Sequence, residues 1–460
     1  MRKKVVLFGA GVYAKKYKSF LEYVHMTFDF FTDNDNGKVG KYLYDKEIIS
    51  PLSLIDMDCN IIISCTHAEQ IKKQLEEMGI LNKVLEIQDI YKEYTDFMNK
   101  GNIDDCLNDR TTVIIDMYEG IGWGGTEMWA AGTAQDLSEK GHTVILFGSD
   151  QQACLDGQKE EMVQRFSEID TIEEMTNKIR DNLPCVIINN FAGCVLLAAV
   201  LVKLQNPKSV QIISVVHSDN INLYDAHMMF REWTDVFFCV SRQIRETIIE
   251  KYALNRNQVF YKEPHIESEE PLDKHYSKGE EPLRIGYASR LVKQLKRVDL
   301  FPQLIILMEE KGINYQMEIA GEGECFELID RFISDKGLHN KIRLLGRVPK
   351  QNMCEFWKRQ DVFINISECE GTSLAMLEAM AFGCVPVVTR VSGVTEYIKK
   401  NQNGFIREVG DLEGIAEDIK KIDSVRDILP QYGKSCYSEI QKRCGKTDYV
   451  NYIEKIMTIK

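Results

Sequence analysis

No stretch of the sequence is apolar for long enough to cross a membrane. The longest run, CVLLAAVLV at Cys194–Val202, is about half of the ~20 residues that a spanning helix needs, so a buried helix is expected there. The opening MRKKVVLFGAG lacks the long apolar segment and small-residue cleavage site of a signal peptide, and none is expected. No two cysteines are spaced as CxxC and no Cys/His cluster has zinc spacing. The thirteen cysteines are an odd number and scattered, which predicts reduced thiols in a cytoplasmic protein rather than a disulfide framework. Positive charge is also short. A net charge of −13 and a pI near 5.3 argue against broad nucleic-acid binding, while leaving room for a local basic cleft.

What is present is ordinary globular material, 44% apolar and 28% charged over 460 residues, enough for roughly three domains. One stretch organises the rest. ECEGTSLAMLEAMAFG, Glu368–Gly383, lies between an apolar strand, DVFINIS, and another, VPVVT. This is the pattern of one βαβ unit. Gly371, Thr372 and Ser373 make the turn, and a helix begins with Leu374. Glu370 in the turn and Glu378 about two helical turns later place two carboxylates at different depths beside a helix N-terminus. The unpaired amides and positive dipole end between them suit a phosphate, so two hydroxyl-binding acids would flank a phosphate seat.

Residues 1–100 read as a first unit. VVLFGAG ends in Gly9-x-Gly11-x-x-Ala14, and strands FDFFTD, ending at Asp33, and NIIISC follow. This spacing fits a dinucleotide fingerprint, with Asp33 placed for a ribose hydroxyl. The unit shows only about half the strands of a complete dinucleotide-binding fold, and no Tyr-x-x-x-Lys pair follows it. It resembles the small Rossmann-like domains fused to bacterial sugar-modifying proteins, so a scaffold or a surface that docks a partner is the alternative to an accessory ligand site at Gly9, Gly11 and Asp33. NKGNIDDCLNDR, 99–110, reads as a linker.

From 111 to 268, strand-like and helix-like patterns alternate, which implies a parallel sheet with helices on both faces. Ligands collect at the carboxyl ends of such strands. The residues there are Gly124, Gly125 and Thr126, then Asn189 and Asn190, then His217, then Ser241. Gly124-Gly125 opens a helix, so either a phosphate sits at its N-terminus or the glycines only make a tight turn. His217 ends an apolar run and precedes Ser218-Asp219, which favours the edge of a cleft over the core. A charged segment with the breakers Pro271 and Gly279 runs from Pro264 to Pro282 and marks a second boundary and a hinge.

The last unit, 283–460, begins with LRIGYAS followed by Arg290 and a basic loop containing Lys296. A guanidinium fork and an ammonium suit a diphosphate, although a Lys/Arg-rich loop alone could be a solvated turn. YQMEIAGEGE with its turn at Gly321, and KIRLLGRVP with its turn at Val348, bring further strand ends to the same rim.

Taken together, Ser289-Arg290 with Lys296, AGEGE, GRVP and Glu370-x7-Glu378 resemble the motifs of retaining GT-B glycosyltransferases of family 4, over residues 111–460. Two departures stand out: Arg297 replaces a glycine common in that family, and Lys296 follows Arg290 by six positions rather than five. The resemblance implies three Rossmann-like parallel-sheet domains in an α/β chain, the last two forming a GT-B pair facing across a cleft. The 111–268 domain would take the acceptor and the 283–460 domain the nucleotide sugar, with the final helix, DYVNYIEKIMTI, crossing back.

By the same resemblance, Glu378 would bind the ribose, Glu370 the donor sugar hydroxyls, and the Gly371-Thr372-Ser373 backbone, with Leu374, the phosphate. Arg290 and Lys296 would neutralise the leaving diphosphate. Val348 would lie near the base, Gly321 on the donor rim, His217 near the donor sugar, and Gly125 near the distal phosphate, with Gly124, Thr126 and Ser241 completing the donor side. No metal and no cofactor would be required, since the basic pair takes the place of a divalent ion, and no Asp-x-Asp motif is evident at this site. The implied reaction moves a sugar from a UDP- or GDP-sugar to an acceptor hydroxyl with retention, in bacterial surface glycan or glycoconjugate assembly. The acceptor would be a glycan, a lipid-linked glycan or a protein, handled by a cytoplasmic enzyme working at the inner face of the membrane as a peripheral protein. The alternatives are a non-catalytic binding or regulatory subunit on the same fold, and an NAD-dependent enzyme modifying nucleotide sugars through the N-terminal glycine turn.

Overall fold

The computed structural model describes residues 3–65, 67–97, 111–118, 124–149, 162–166, 171–268 and 272–459. The 99–110 linker and Pro271 lie outside the described residues. Three sheets follow one another along the chain.

The first contains β1 (Lys4–Phe8), β2 (Phe30–Thr32), β3 (Tyr42–Leu43), β4 (Lys46–Ile49) and β5 (Cys59–Ile63), in the order β3-β4-β2-β1-β5. All its pairings are parallel except β3 with β4. The sequence shows three of these five strands plainly. The hairpin β3-β4 is missed because it is short and its side chains are largely accessible.

The second sheet runs β6 (Thr112–Asp116), β7 (Val144–Ser149), β8 (Val163–Phe166), β9 (Cys185–Asn189), β10 (Val210–Val216), β11 (Val236–Cys239) and β12 (Val259–Tyr261). Its order is β12-β11-β10-β9-β6-β7-β8, and every pairing is parallel. The third holds β13 (Leu283–Ala288), β14 (Tyr315–Ala320), β15 (Ile342–Gly346), β16 (Val362–Asn365), β17 (Val385–Thr389) and β18 (Phe405–Arg407), in the order β15-β14-β13-β16-β17-β18 and again all parallel. Central strands such as β9, β10 and β17 are buried at every residue. Helices cover both faces of a parallel sheet, so these strands read as unbroken apolar runs.

In the second sheet the chain builds outward from β6 and then returns to lay β9 on the other side of β6; the third does the same with β13 and β16. Each reversal leaves a crevice at the carboxyl ends of the two strands, where an open α/β sheet binds its ligand. The crevice residues are therefore those after Asp116 and Asn189 in one sheet and after Ala288 and Asn365 in the other.

The helix Cys194–Gln205 carries the longest apolar run, and Cys194 through Val202 are all buried. It is apolar all round because it has no free face. It packs on strands β9 and β10, on the helix Thr171–Arg180 of its own domain, and on the helices Val12–Tyr23 and Ile87–Phe97 of the first domain. Tyr91 donates to the carbonyl of Leu197 at 3.1 Å, and its ring meets Trp233 with centroids 4.8 Å apart. The first sheet domain thus shares a core with the second.

Residues 272–282 are pinned along the third domain. Tyr276 donates to Gly383 O (2.9 Å), Lys274 to Trp357 O (2.7 Å), and Ser277 N–H to the Asp361 carboxylate (3.1 Å). The final helix, Lys446–Ile456, lies on the helix Gly125–Glu139 of the second domain. Tyr449 and Thr133 hydroxyls are 2.7 Å apart, and Gln211 Nε2 donates to the carbonyls of Ile456 and Ile459 at 2.9 and 2.7 Å.

Candidate active site

A cavity of about 420 Å³ opens where the two crevices face each other, within the range of small-molecule sites. Its walls include Gly124, Gly125, Thr126, His217, Arg290, Lys296, Gly321, Val348, Gly371, Thr372, Ser373, Leu374, Glu370 and Glu378. Residues spread over some 250 positions of sequence are gathered because they lie in the segments that follow a strand's carboxyl end, with Glu378 one turn into the helix Leu374–Ala381.

Glu370 is held by three groups. Lys296 Nζ lies 2.5 Å from its Oε1, Ser367 Oγ 2.9 Å and Asn365 Nδ2 3.3 Å. Burial pushes its carboxyl up, but Lys296, with Ser367 and Asn365, more than offsets that and holds it below the usual carboxylate range. It is therefore held as the carboxylate.

Lys296 reaches Glu370 through an unusual loop. Leu295 and Arg297 on either side both have positive φ, 65° and 53°, a region that costs a non-glycine residue roughly 1–2 kcal/mol. Leu295 O accepts from Glu368 N–H at 2.8 Å, and Arg297 pairs with Glu368 at 3.0 Å and Asp299 at 3.7 Å. Arg297 takes the conformation that glycine would adopt more easily.

Arg290 lines the same cavity, and among the described residues its guanidinium has no hydrogen-bond or ion-pair partner. Its planar fork of donors is suited to pairing with an anion. Gly371 to Ala375 form the adjacent wall, where the helix Leu374–Ala381 begins. Ser373 caps that helix by accepting from Met376 N–H at 3.3 Å.

Glu378 is in a different state from Glu370. Burial pushes its carboxyl up, only partly relieved by Lys350, to about 7. Among the described residues no ion pair is made by Glu378, and its proton is held by burial.

His217 is held neutral. Its Nε2 is 2.8 Å from Asn190 Oδ1, while Asn190 Nδ2 donates to Asp116 O at 2.6 Å, which fixes the amide orientation and makes Nε2–H the donor. Burial, with His227 nearby, depresses its pKa to about 3. Its ring meets Trp129 edge-on, centroids 5.1 Å apart. His217 therefore acts as a neutral, fixed imidazole and not as a cation.

Several sequence expectations need correction. Ser241 does not line the cavity. It is fully buried, caps the helix Arg242–Tyr252 and hydrogen-bonds Ser392 at 2.7 Å, joining the two domains. Gly124 and Gly125 do open a helix, but the buried Glu127 folds back so that a Cβ on Gly124 would sit 2.6 Å from its Oε2. A carboxylate already lies at that helix end, which makes it a poor phosphate seat beside the one at Gly371–Ser373. Gly321 is required by backbone approach: at φ 146° a Cβ would lie 1.9 Å from Ser289 O.

In the first domain, the Asp33 carboxylate accepts from Ala10 N–H (2.9 Å), Asp35 N–H (2.9 Å) and Lys38 Nζ (3.0 Å). Burial raises its carboxyl, these donors outweigh it, and the net shift is downward. Three of its acceptor positions are taken by the glycine turn and by Lys38, and Gly9, φ 118°, is explained by its approach to Ser64 and Cys65. Arg347, Lys350 and Tyr13, which the sequence patterns do not single out, also line the cavity, as does Lys262.

The two domains touch across the site. A Cβ on Gly371 would lie 2.0 Å from His217 O, Thr372 donates to Val240 O at 2.7 Å, and Asp219 N–H donates to Glu370 O at 3.3 Å. This is a closed cleft.

Two facing parallel-sheet domains with reversed crevices and a basic, carboxylate-flanked cavity between them have the layout of the GT-B fold. Comparison with known proteins agrees: residues 268–434 match the family model described as Glycosyl transferases group 1, and residues 1–85 match one described as C2185-like, N-terminal. The chain is 21% identical over 277 residues to N-acetyl-alpha-D-glucosaminyl L-malate synthase of Bacillus anthracis, covering 56% of this chain and 71% of that one. It is 27% identical over 158 residues to poly(ribitol-phosphate) alpha-N-acetylglucosaminyltransferase of Staphylococcus aureus, covering 34% of this chain and 31% of the relative. Among solved structures, the pneumococcal O-GlcNAc transferase GtfA in complex with UDP and GlcNAc superposes with a TM-score of 0.63 at 13% identity, covering 76% of this chain and 99% of that one. Among the described residues, no helix is long and apolar enough to cross a membrane.

Proposed function

We propose that the protein is a retaining, family-4-type enzyme that moves a sugar from a UDP- or GDP-sugar to an acceptor hydroxyl, in assembly of a surface glycan or glycoconjugate. The observation that carries this is the pairing of an unpartnered Arg290 with the Lys296–Glu370 contact at the mouth of one helix N-terminus. As the glycosyl bond breaks, charge builds on the departing diphosphate. Arg290, Lys296 and the amides at Gly371–Ser373 meet that charge in a partly water-excluded site and do the work a divalent ion would otherwise do. Glu370 accepts from the donor sugar's hydroxyls and Glu378 from the ribose. Val348 and Lys350 border the base, and His217, neutral, faces the donor sugar. The carboxylate of Glu370 is engaged by three donors, which favours the hydroxyl-binding role over that of a covalent nucleophile.

The names of the relatives make UDP-N-acetylglucosamine the first donor to try, with a glycan, lipid-linked or protein acceptor at a membrane's inner face. The test is turnover of a panel of UDP- and GDP-sugars by the purified chain in excess EDTA. R290A or K296A should lower turnover at least ~10²-fold, as loss of an oxyanion-type donor does, and NMR of the product should show the donor's anomeric configuration. Near-native turnover in both variants, or complete loss in EDTA, would refute the metal-free basic pair.

A further inference from the structure

One wall of the active-site cavity comes from outside the two facing domains. Tyr13, at the start of the first domain's helix Val12–Tyr23, lines the same cavity as Arg290 and Glu370. It reaches there because this helix packs on Thr171–Arg180 and on Cys194–Gln205, whose preceding residues, Phe191 and Ala192, line the cavity as well. Asn190, one residue earlier, holds His217. Tyr13 thus shares the cavity wall with Phe191 and Ala192 of the second domain, the side that the glycosyl-transfer reading gives to the acceptor.

The residue's chemistry suits that place. Tyr13 is half-buried, and Lys16 Nζ lies 4.4 Å from its ring centroid. A cation over an aromatic face helps hold the ring in one orientation at little cost. A fixed aromatic ring offers the apolar face of a sugar a broad contact while its hydroxyl serves the polar edge. Beside it, Phe191, Ala192 and Leu223 supply apolar surface and Asn190 and Ser218 supply polar groups.

We infer that Tyr13 is an acceptor-binding residue, and that the first domain belongs to the enzyme's acceptor site as the platform for the sugar unit next to the one carrying the accepting hydroxyl. This rests on the glycosyl-transfer reading above. The consequence is selection for acceptors of two or more units.

The test uses the full chain with UDP or GDP, whichever it binds, and three probes, methyl β-lactoside, methyl α-maltoside and methyl β-chitobioside, read by saturation-transfer-difference NMR. With the native protein, at least one probe should show saturation of both rings. In Y13A, and in Y13L, which keeps the bulk, the second ring's signal should fall at least threefold, and Y13F should restore it. Equal signals in native and Y13L protein overturn the proposal, as does absence of second-ring saturation for all three probes. Calorimetric titration of the native protein with UDP and with GDP separates the two readings: binding of neither defeats the glycosyltransferase assignment, whereas binding of either with unchanged probe signals defeats only the role of Tyr13.

Discussion

Lys296 and Glu370 form a close ion pair, 2.5 Å from Nζ to Oε1, with side chains only 15% and 10% exposed. Removing one member of a buried pair leaves the other charge uncompensated and costs about 3–5 kcal/mol. K296A should therefore lower thermal stability and raise the Glu370 carboxyl above its present depressed value. The native pair stabilises the fold above the ordinary carboxylate range and ceases to do so as pH falls through the lowered Glu370 value. The double variant K296A/E370Q should recover much of the stability but none of the turnover. Melting curves and donor hydrolysis on the three proteins check this.

Glu378 gives the opposite pH behaviour. Its folded pKa is raised to about 7 from an ordinary 4.5, so the folded protein holds a proton that the unfolded chain releases. Stability from this group falls as pH rises from about 4.5 to 7. Ribose hydroxyls favour the ionised form, so donor binding should release a proton and tighten as pH rises toward 8. Titrating UDP-N-acetylglucosamine, whose phosphates stay ionised over this range, in buffers of different ionisation enthalpy should show the release. E378Q should bind more weakly and lose the pH dependence.

Gly371 sits where the two domains meet, and G371A would place a carbon 2.0 Å from His217 O. The cleft cannot then close fully. Because a shift of ~1 Å in a reacting geometry can cost ~10²-fold, turnover should fall by about that factor while melting temperature changes little. Small-angle scattering with UDP present should show a larger radius than for the native protein.

Arg297 bears on the departure from the family pattern. R297G should relieve the positive φ while losing two partly exposed ion pairs, each worth up to ~1 kcal/mol, leaving stability near native and turnover within a few-fold. R297V puts a branched side chain at a φ it rarely adopts and should destabilise by about 1–3 kcal/mol. Thermal melts and donor hydrolysis distinguish the pair.

The fold class was legible because buried parallel strands announce themselves as unbroken apolar runs, as in CVIIN and VQIISVV. The edge strands β8, β12 and β18, each three or four residues long and half-accessible, carried no such signal. Arg290, Lys296, Glu370 and Glu378 could be brought together from sequence because each follows a strand end in a predictable way. Ser241 follows a strand end as well, yet its hydroxyl went to a helix cap and a domain contact. Asp33 sits at its fingerprint spacing but was recruited by Ala10 and Lys38. Which polar group a strand-end residue meets depends on the opposing domain, which local spacing does not encode. Tyr13 was invisible for the same reason: its role depends on a neighbour about 180 residues away.

The helix Cys194–Gln205 offers a rule for reading other chains. Because both of its sides are covered, cutting away residues 1–110 would bare an aliphatic surface, and each Leu or Val so exposed forfeits about 1.5–3 kcal/mol. The two-domain remainder should aggregate rather than fold as a minimal transferase. Chains of this architecture that lack the first sheet are expected to carry lysine, glutamate or glutamine on the outward positions of the equivalent helix, so the hydropathy of that one segment tells whether a front domain has been gained or lost.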